Sequence, residues 1–178
     1  MLERKYLTPD EVQQLLVATK QAPRNAHRNY CLVLLGYRHG LRVSELVDLR
    51  WCDIDFKTAT LYVRRLKNGR PANHPIDGDE LRALRQLQRD YPDTPWLFNS
   101  ERKQPLSDRT VREIVASAGE LAGLGRIHPH QLRHSCGFYL ASKGFDTRMI
   151  QDYLGHRNIN HTVQYTELAP GRFDAISW

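Results

Sequence analysis

The stretch Tyr30–Leu49, YCLVLLGYRHGLRVSELVDL, decides how the chain is built. From Tyr30 to Tyr37 it carries too few charges for a surface helix, and Gly40 is a natural C-terminal stop, so a buried helix is expected to end there. Beyond the stop, Leu46 and Leu49 are spaced for one face, while Arg42 and Glu45, three apart, fall side by side on another. Two charged groups are thus held against a buried segment.

Before this stretch, Thr8-Pro9-Asp10-Glu11 combines an N-cap, a proline at the first helical position and a capping-box acid, and Val12, Leu15 and Leu16 supply an apolar face. A helix starts there. After it, from Ile54 to Ile76, the period changes: Thr60-Leu61-Tyr62-Val63 is β-rich, Asn68-Gly69 signals a hairpin, and His74-Pro75-Ile76 resumes an extended run. The remainder predicts helices over 79–91, 107–122, 129–142 and 147–154, each bounded by Pro, Gly, Ser or Asp. The expected fold is mainly α with a small antiparallel β-sheet, an α+β arrangement, in one domain over residues 1–178.

The 178 residues suffice for one domain with its own core, and 40% hydrophobic with 26% charged residues exclude disordered, collagen-like and coiled-coil readings. Lys and Arg number 26 against 20 Asp and Glu, a net charge of +6 that draws the chain to polyanions, nucleic acid first. The start MLERKYLTPDEV has no signal-peptide core and no long uncharged apolar run occurs, so a cytoplasmic protein is expected. Cys31, Cys52 and Cys136 are odd in number and lack a CxxC, and they read as reduced core thiols.

Six residues need a common explanation: Arg42, Lys67 at the hairpin tip, His130 and Arg133 within HQLR, His156 after Leu154-Gly155, and Tyr165. Singly each has an ordinary reading: a solvated arginine, an exposed turn lysine, an i,i+3 surface pair, a helix cap, a packing tyrosine. Together they describe a phosphodiester site. Two arginines bind non-bridging oxygens in fork geometry, a tyrosine attacks phosphorus to form a covalent ester, and a lysine and a histidine move protons.

In this order the residues resemble the tyrosine recombinase (phage integrase) family across nearly the whole chain. The segments that carry the resemblance are Gly40-Leu41-Arg42-Val43-Ser44-Glu45-Leu46, Leu66-Lys67-Asn68-Gly69-Arg70, His130-Gln131-Leu132-Arg133-His134, Leu154-Gly155-His156 and Thr162-Val163-Gln164-Tyr165-Thr166. Tyr165 follows His156 by nine residues, the separation the family uses. Tyr6-Leu7-Thr8 and Arg28-Asn29-Tyr30-Cys31-Leu32, with the short length, look like the fimbrial phase-variation recombinases that invert a promoter segment.

The resemblance implies a catalytic-domain fold without the N-terminal core-binding domain that completes the clamp in most members. It implies that Tyr165 is the nucleophile of a 3′-phosphotyrosyl intermediate, that Arg42 and Arg133 bind the phosphate, and that Lys67 protonates the leaving 5′-oxygen. His130 would assist proton transfer at the tyrosine, His156 would donate a hydrogen bond to the phosphate, and Glu45 would orient Arg42. Neither ATP nor a metal or other cofactor is implied. The implied partners are double-stranded DNA with inverted-repeat sites, further copies of the chain forming a tetramer in synapsis, and accessory DNA-bending proteins. Residues 166–178 would pack on a neighbouring protomer, with Phe173, Ile176 and Trp178 as apolar anchors and Ala169-Pro170-Gly171 as a hinge.

Two other classes compete. A zinc hydrolase would use His128, His130, His134 and His156, since His130 and His134 are i,i+4. No Glu stands beside either of that pair as a water-activating base. A non-catalytic DNA-binding module of the same fold would not need all six residue types.

Overall fold

Thr8 opens the first helix, α1 (Pro9–Thr19), with the expected reciprocal cap: its hydroxyl accepts from Glu11 N at 3.3 Å, and Glu11 Oε2 accepts from Thr8 N at 2.8 Å. The computed structural model describes residues 5–65, 69–174 and 176–177. Helix α2 (Ala26–Arg38) is the buried one: Cys31, Leu32, Val33, Leu34 and Leu35 are all at most 1% exposed, and α1, α4 (Gly78–Asp90) and α6 (Pro129–Ser142) pack around it. Gly40 stops the run at φ +56°, where a side chain would be strained and a Cβ would collide with Leu154 Cδ2. The turn therefore lies directly against the helix that precedes His156.

The segment after Gly40 is a short helix, α3 (Val43–Val47), followed by a single 3-10 turn at Trp51–Asp53. Three strands, β1 (Ile54–Asp55), β2 (Thr60–Val63) and β3 (Ala72–Pro75), form an antiparallel sheet in that order, with Leu61 opposite His74 and Val63 opposite Ala72. The expected hairpin tip, with Lys67 and Asn68, lies outside the described residues. Helices α5 (Asp108–Leu121), α6 and α7 (Thr147–Leu154) match their expected bounds to within a residue.

Helix α8 (Asn160–Glu167) lies outside the runs that periodicity and caps marked as helical. Its N-cap position is Ile159, with no capping side chain, and it is only eight residues long. Apolar residues form two clusters, one around α2 and a smaller one of Cys136, Ala141, Ile150, Leu154 and Tyr165 among α6, α7 and α8. All three cysteines are free, but Cys52 is exposed, which corrects its reading as a core thiol. No helix among the described residues is long and apolar enough to cross a membrane.

Candidate active site

Arg42 is the N-cap residue of α3, and the capping box fixes its partner. Glu45 Oε2 accepts from Arg42 N at 2.8 Å, and Glu45 Oε1 accepts from Arg42 Nη1 at 2.9 Å. The Arg42 side chain keeps 33% exposure while that of Glu45 has 1%, so the carboxylate is the buried anchor and the guanidinium faces outward. Glu45 is shared: Arg65, leaving β2, donates from Nη1 to the same Oε2 at 2.8 Å and from Nη2 to the Tyr153 carbonyl. Nothing in the sequence pattern singled out Arg65.

Arg133 lies on α6 and is 2% exposed. Its Nη1 donates to the Gly40 carbonyl, and its Nη2 to the Leu154 carbonyl at 2.7 Å. One guanidinium therefore ties the turn before Arg42 to the turn before His156. Burial and the neighbouring arginines pull Arg133 down to about 10. The charges of Arg42 and Arg133 both act on His130 and on His156, so four of the expected residues lie close enough to feel one another's charge. His156 Nδ1 meets Thr162 Oγ1 at 2.8 Å, and burial, then Arg133, holds its imidazole neutral by lowering it to about 3.

Tyr165, on α8, is 1% exposed. Its ring lies on Gly137 of α6, where an added Cβ would stand 2.6 Å from Cε2, and it meets Phe138 edge to face at 5.1 Å. Its hydroxyl is 2.9 Å from His134 Nδ1. Burial pushes the phenol up to about 12, against the pull of Arg133. His134 is lowered to about 4, by burial first and then by His130 and Arg133, and is neutral at neutral pH. With the ring proton on Nε2, Nδ1 accepts the tyrosine hydrogen.

Among the described residues, the imidazole on the Tyr165 hydroxyl is thus His134, whose only chemical role on sequence grounds lies in the zinc alternative. His130, expected to serve the tyrosine's proton, stands edge-on to His134 at 4.4 Å between ring centroids, on the arginine side. Lys67 lies outside the described residues. The one three-ligand group of acidic, His or Cys side chains close enough for a metal, among the described residues, is Asp77, Asp79 and Glu80. Arg38 pairs with those acids, at 2.7 Å to Asp79 and 3.2 Å to Glu80, and the histidines of the zinc reading form no such group.

Residues 5–172 match the phage integrase family. The chain is 48% identical over 180 residues to the type 1 fimbriae regulatory protein FimB of Escherichia coli K12, an alignment covering 98% of this chain and 90% of FimB. It is 45% identical over 183 residues to the type 1 fimbriae regulatory protein FimE of the same strain, covering 99% and 92%. Among solved structures, the XerA recombinase superposes with a TM-score of 0.82 at 28% identity over 95% of this chain and 62% of that one. XerH bound to its difH substrate in a pre-cleavage complex gives 0.78 at 22% identity, over 92% and 50%, a likeness of fold. The chain spans most of the fimbrial regulators but less than two thirds of these Xer chains.

Proposed function

The chain belongs to the phage integrase family and is a tyrosine-type site-specific recombinase, and from that premise we propose that it inverts a promoter element to switch fimbrial expression, with Tyr165 as nucleophile. The observation that carries the assignment is the Tyr165 hydroxyl on neutral His134, with the charge of Arg133 acting on both groups.

Tyr165 attacks the scissile phosphorus, its oxygen becomes the ester oxygen of a 3′-phosphotyrosyl bond, and the 5′-oxygen leaves. With the phenol raised to about 12, the hydroxyl is protonated at neutral pH and must lose its proton during attack. His134 is the acceptor in contact, and His130 can take part through their edge-on pair. Arg42 and Arg133 offset the charge growing on the non-bridging oxygens, and Glu45 holds Arg42 for that purpose. His156, with Nδ1 fixed by Thr162, keeps Nε2 for a hydrogen bond to the phosphate. Lys67 protonates the departing 5′-oxygen. A 5′-hydroxyl from the partner strand reverses the ester, so the bond energy is conserved and neither ATP nor a metal is required.

The assembly is a tetramer on inverted-repeat DNA in the cytoplasm, on nucleoid DNA shaped by accessory bending proteins. Phe173 and Ile176 support the tail exchange: both are apolar, and they are 66% and 59% exposed on their own protomer. The test is to incubate the purified chain with sheared host DNA in EDTA and sequence the ends trapped on Tyr165. Covalent ends at inverted repeats flanking a promoter are expected. The proposal fails if no protein–DNA adduct forms without metal.

A further inference from the structure

We propose that Arg65, outside the expected catalytic set, is a positioning residue that neutralises Glu45 and so leaves the charge of Arg42 free for the DNA phosphate. The inference rests on the reading of Arg42 as a phosphate ligand.

The argument begins with charge balance. Glu45 is one carboxylate with two guanidiniums on it, Arg42 Nη1 at 2.9 Å and Arg65 Nη1 at 2.8 Å. The side chains of Arg65 and Glu45 are 0% and 1% exposed, whereas that of Arg42 is 33% exposed. Were Glu45 paired with Arg42 alone, that pair would be neutral and Arg42 would add no net charge for a phosphate. With Arg65 added, the trio keeps one net positive charge, and its exposed member is Arg42. A buried ion pair is an expensive way to gain stability, so its presence here points to a role in placing charge.

The packing around Arg65 is equally specific. A Cβ on Gly155 would stand 2.7 Å from Arg65 Nε, and one on Gly69 would stand 2.5 Å from Arg65 Cβ, so glycines crowd the side chain from two sides. Gly155 has φ +68° and directly precedes His156; Gly69 stands two positions after Lys67 in the sequence. Through Nη2, Arg65 also holds the Tyr153 carbonyl, one residue before the Leu154 carbonyl that Arg133 holds. Arg65 thus sits where α3, the hairpin and the His156 turn converge.

The experiment is single-turnover cleavage by the full chain of a nicked suicide duplex built from the trapped site. The scissile linkage is either a phosphodiester or a neutral methylphosphonate. Arg65→Met is expected to lose about 100-fold on the phosphodiester, the scale of removing one charge-stabilising donor, and to approach the wild-type rate on the methylphosphonate. Adding Glu45→Gln to Arg65→Met removes the anion that captures Arg42 and is expected to recover most of the phosphodiester loss. A merely structural role predicts equal deficits on both substrates and a double variant worse than either single one; that result overturns the proposal. If Arg65→Met does not melt cooperatively, the double variant, which buries no lone charge, is compared with Glu45→Gln alone. Equal rates support the proposal, and a slower or unfolded double variant overturns it. Failure of the wild type to cleave either duplex would instead count against the recombinase reading itself.

Discussion

At the scale of single residues, the tyrosine and its histidine are the most exposed to test. Tyr165→Phe keeps the ring on Gly137 but removes the hydroxyl from His134, so DNA binding should persist while the covalent adduct disappears. The lost hydrogen bond and the imidazole left unpaired should cost about 1–3 kcal/mol in a denaturant titration. An adduct that survives in Tyr165→Phe would remove the nucleophile. The histidines also set an acid limit. His134 and His156 are lowered to about 4 and about 3, so the unfolded chain takes up protons near pH 6.5 that the fold refuses. Their contribution is fully present above about pH 6.5 and is lost as pH falls toward about 4; Tm should drop by several degrees over that window, and His134→Asn should flatten the slope. A Tm that holds or rises on acidification contradicts this. Arg42 and Glu45 were legible because their i,i+3 spacing is written in the sequence. Arg65 was not, since a buried arginine after a strand looks in sequence like any polar residue at a sheet edge.

At the scale of elements, caps and stops decided what could be read. The capping box of α1, Pro129 at the start of α6 and Asp146 before α7 all announce their helices, and Asp146 Oδ1 accepts from Met149 N at 2.9 Å. Helix α8 has no such signal, and its position comes from tertiary packing on α6 and α7. Gly137 of α6 faces the Tyr165 ring of α8. Gly137→Ala places a methyl within 2.6–2.7 Å of three ring atoms of Tyr165. Helix α8 must then move away, with a destabilisation of about 1–3 kcal/mol, as for other overpacked sites. Adduct yield should fall along with stability, whereas Gly78→Ala, where an added Cβ meets nothing nearer than 3.7 Å, should leave the adduct yield unchanged. If Gly137→Ala cleaves at the normal rate, the ring does not need that face to react.

At the scale of the whole molecule, the proposed assembly rests on the tail and the charge. Cutting after Pro170 removes Phe173 and Ile176, which bury little on their own protomer, so the shortened chain should melt at nearly the same temperature and still occupy one half-site. Cooperativity on the paired site and inversion in a plasmid assay should be lost; normal inversion would show that the tail does not link protomers. A net charge of +6 also makes affinity fall steeply with added salt. The smaller apolar cluster has a different consequence. Its members include Tyr165, the proposed nucleophile, 1% exposed among Cys136, Ile150 and Leu154, so the residue proposed to react is also part of what keeps α8 docked. For Tyr165 to reach a phosphate in solution, that docking must loosen, and every turnover spends some of the molecule's own cohesion. Rate and durability therefore compete at one residue: substitutions that tighten the α6–α8 packing should raise the melting temperature and slow strand cleavage, and heat-selected variants should cluster there with reduced activity.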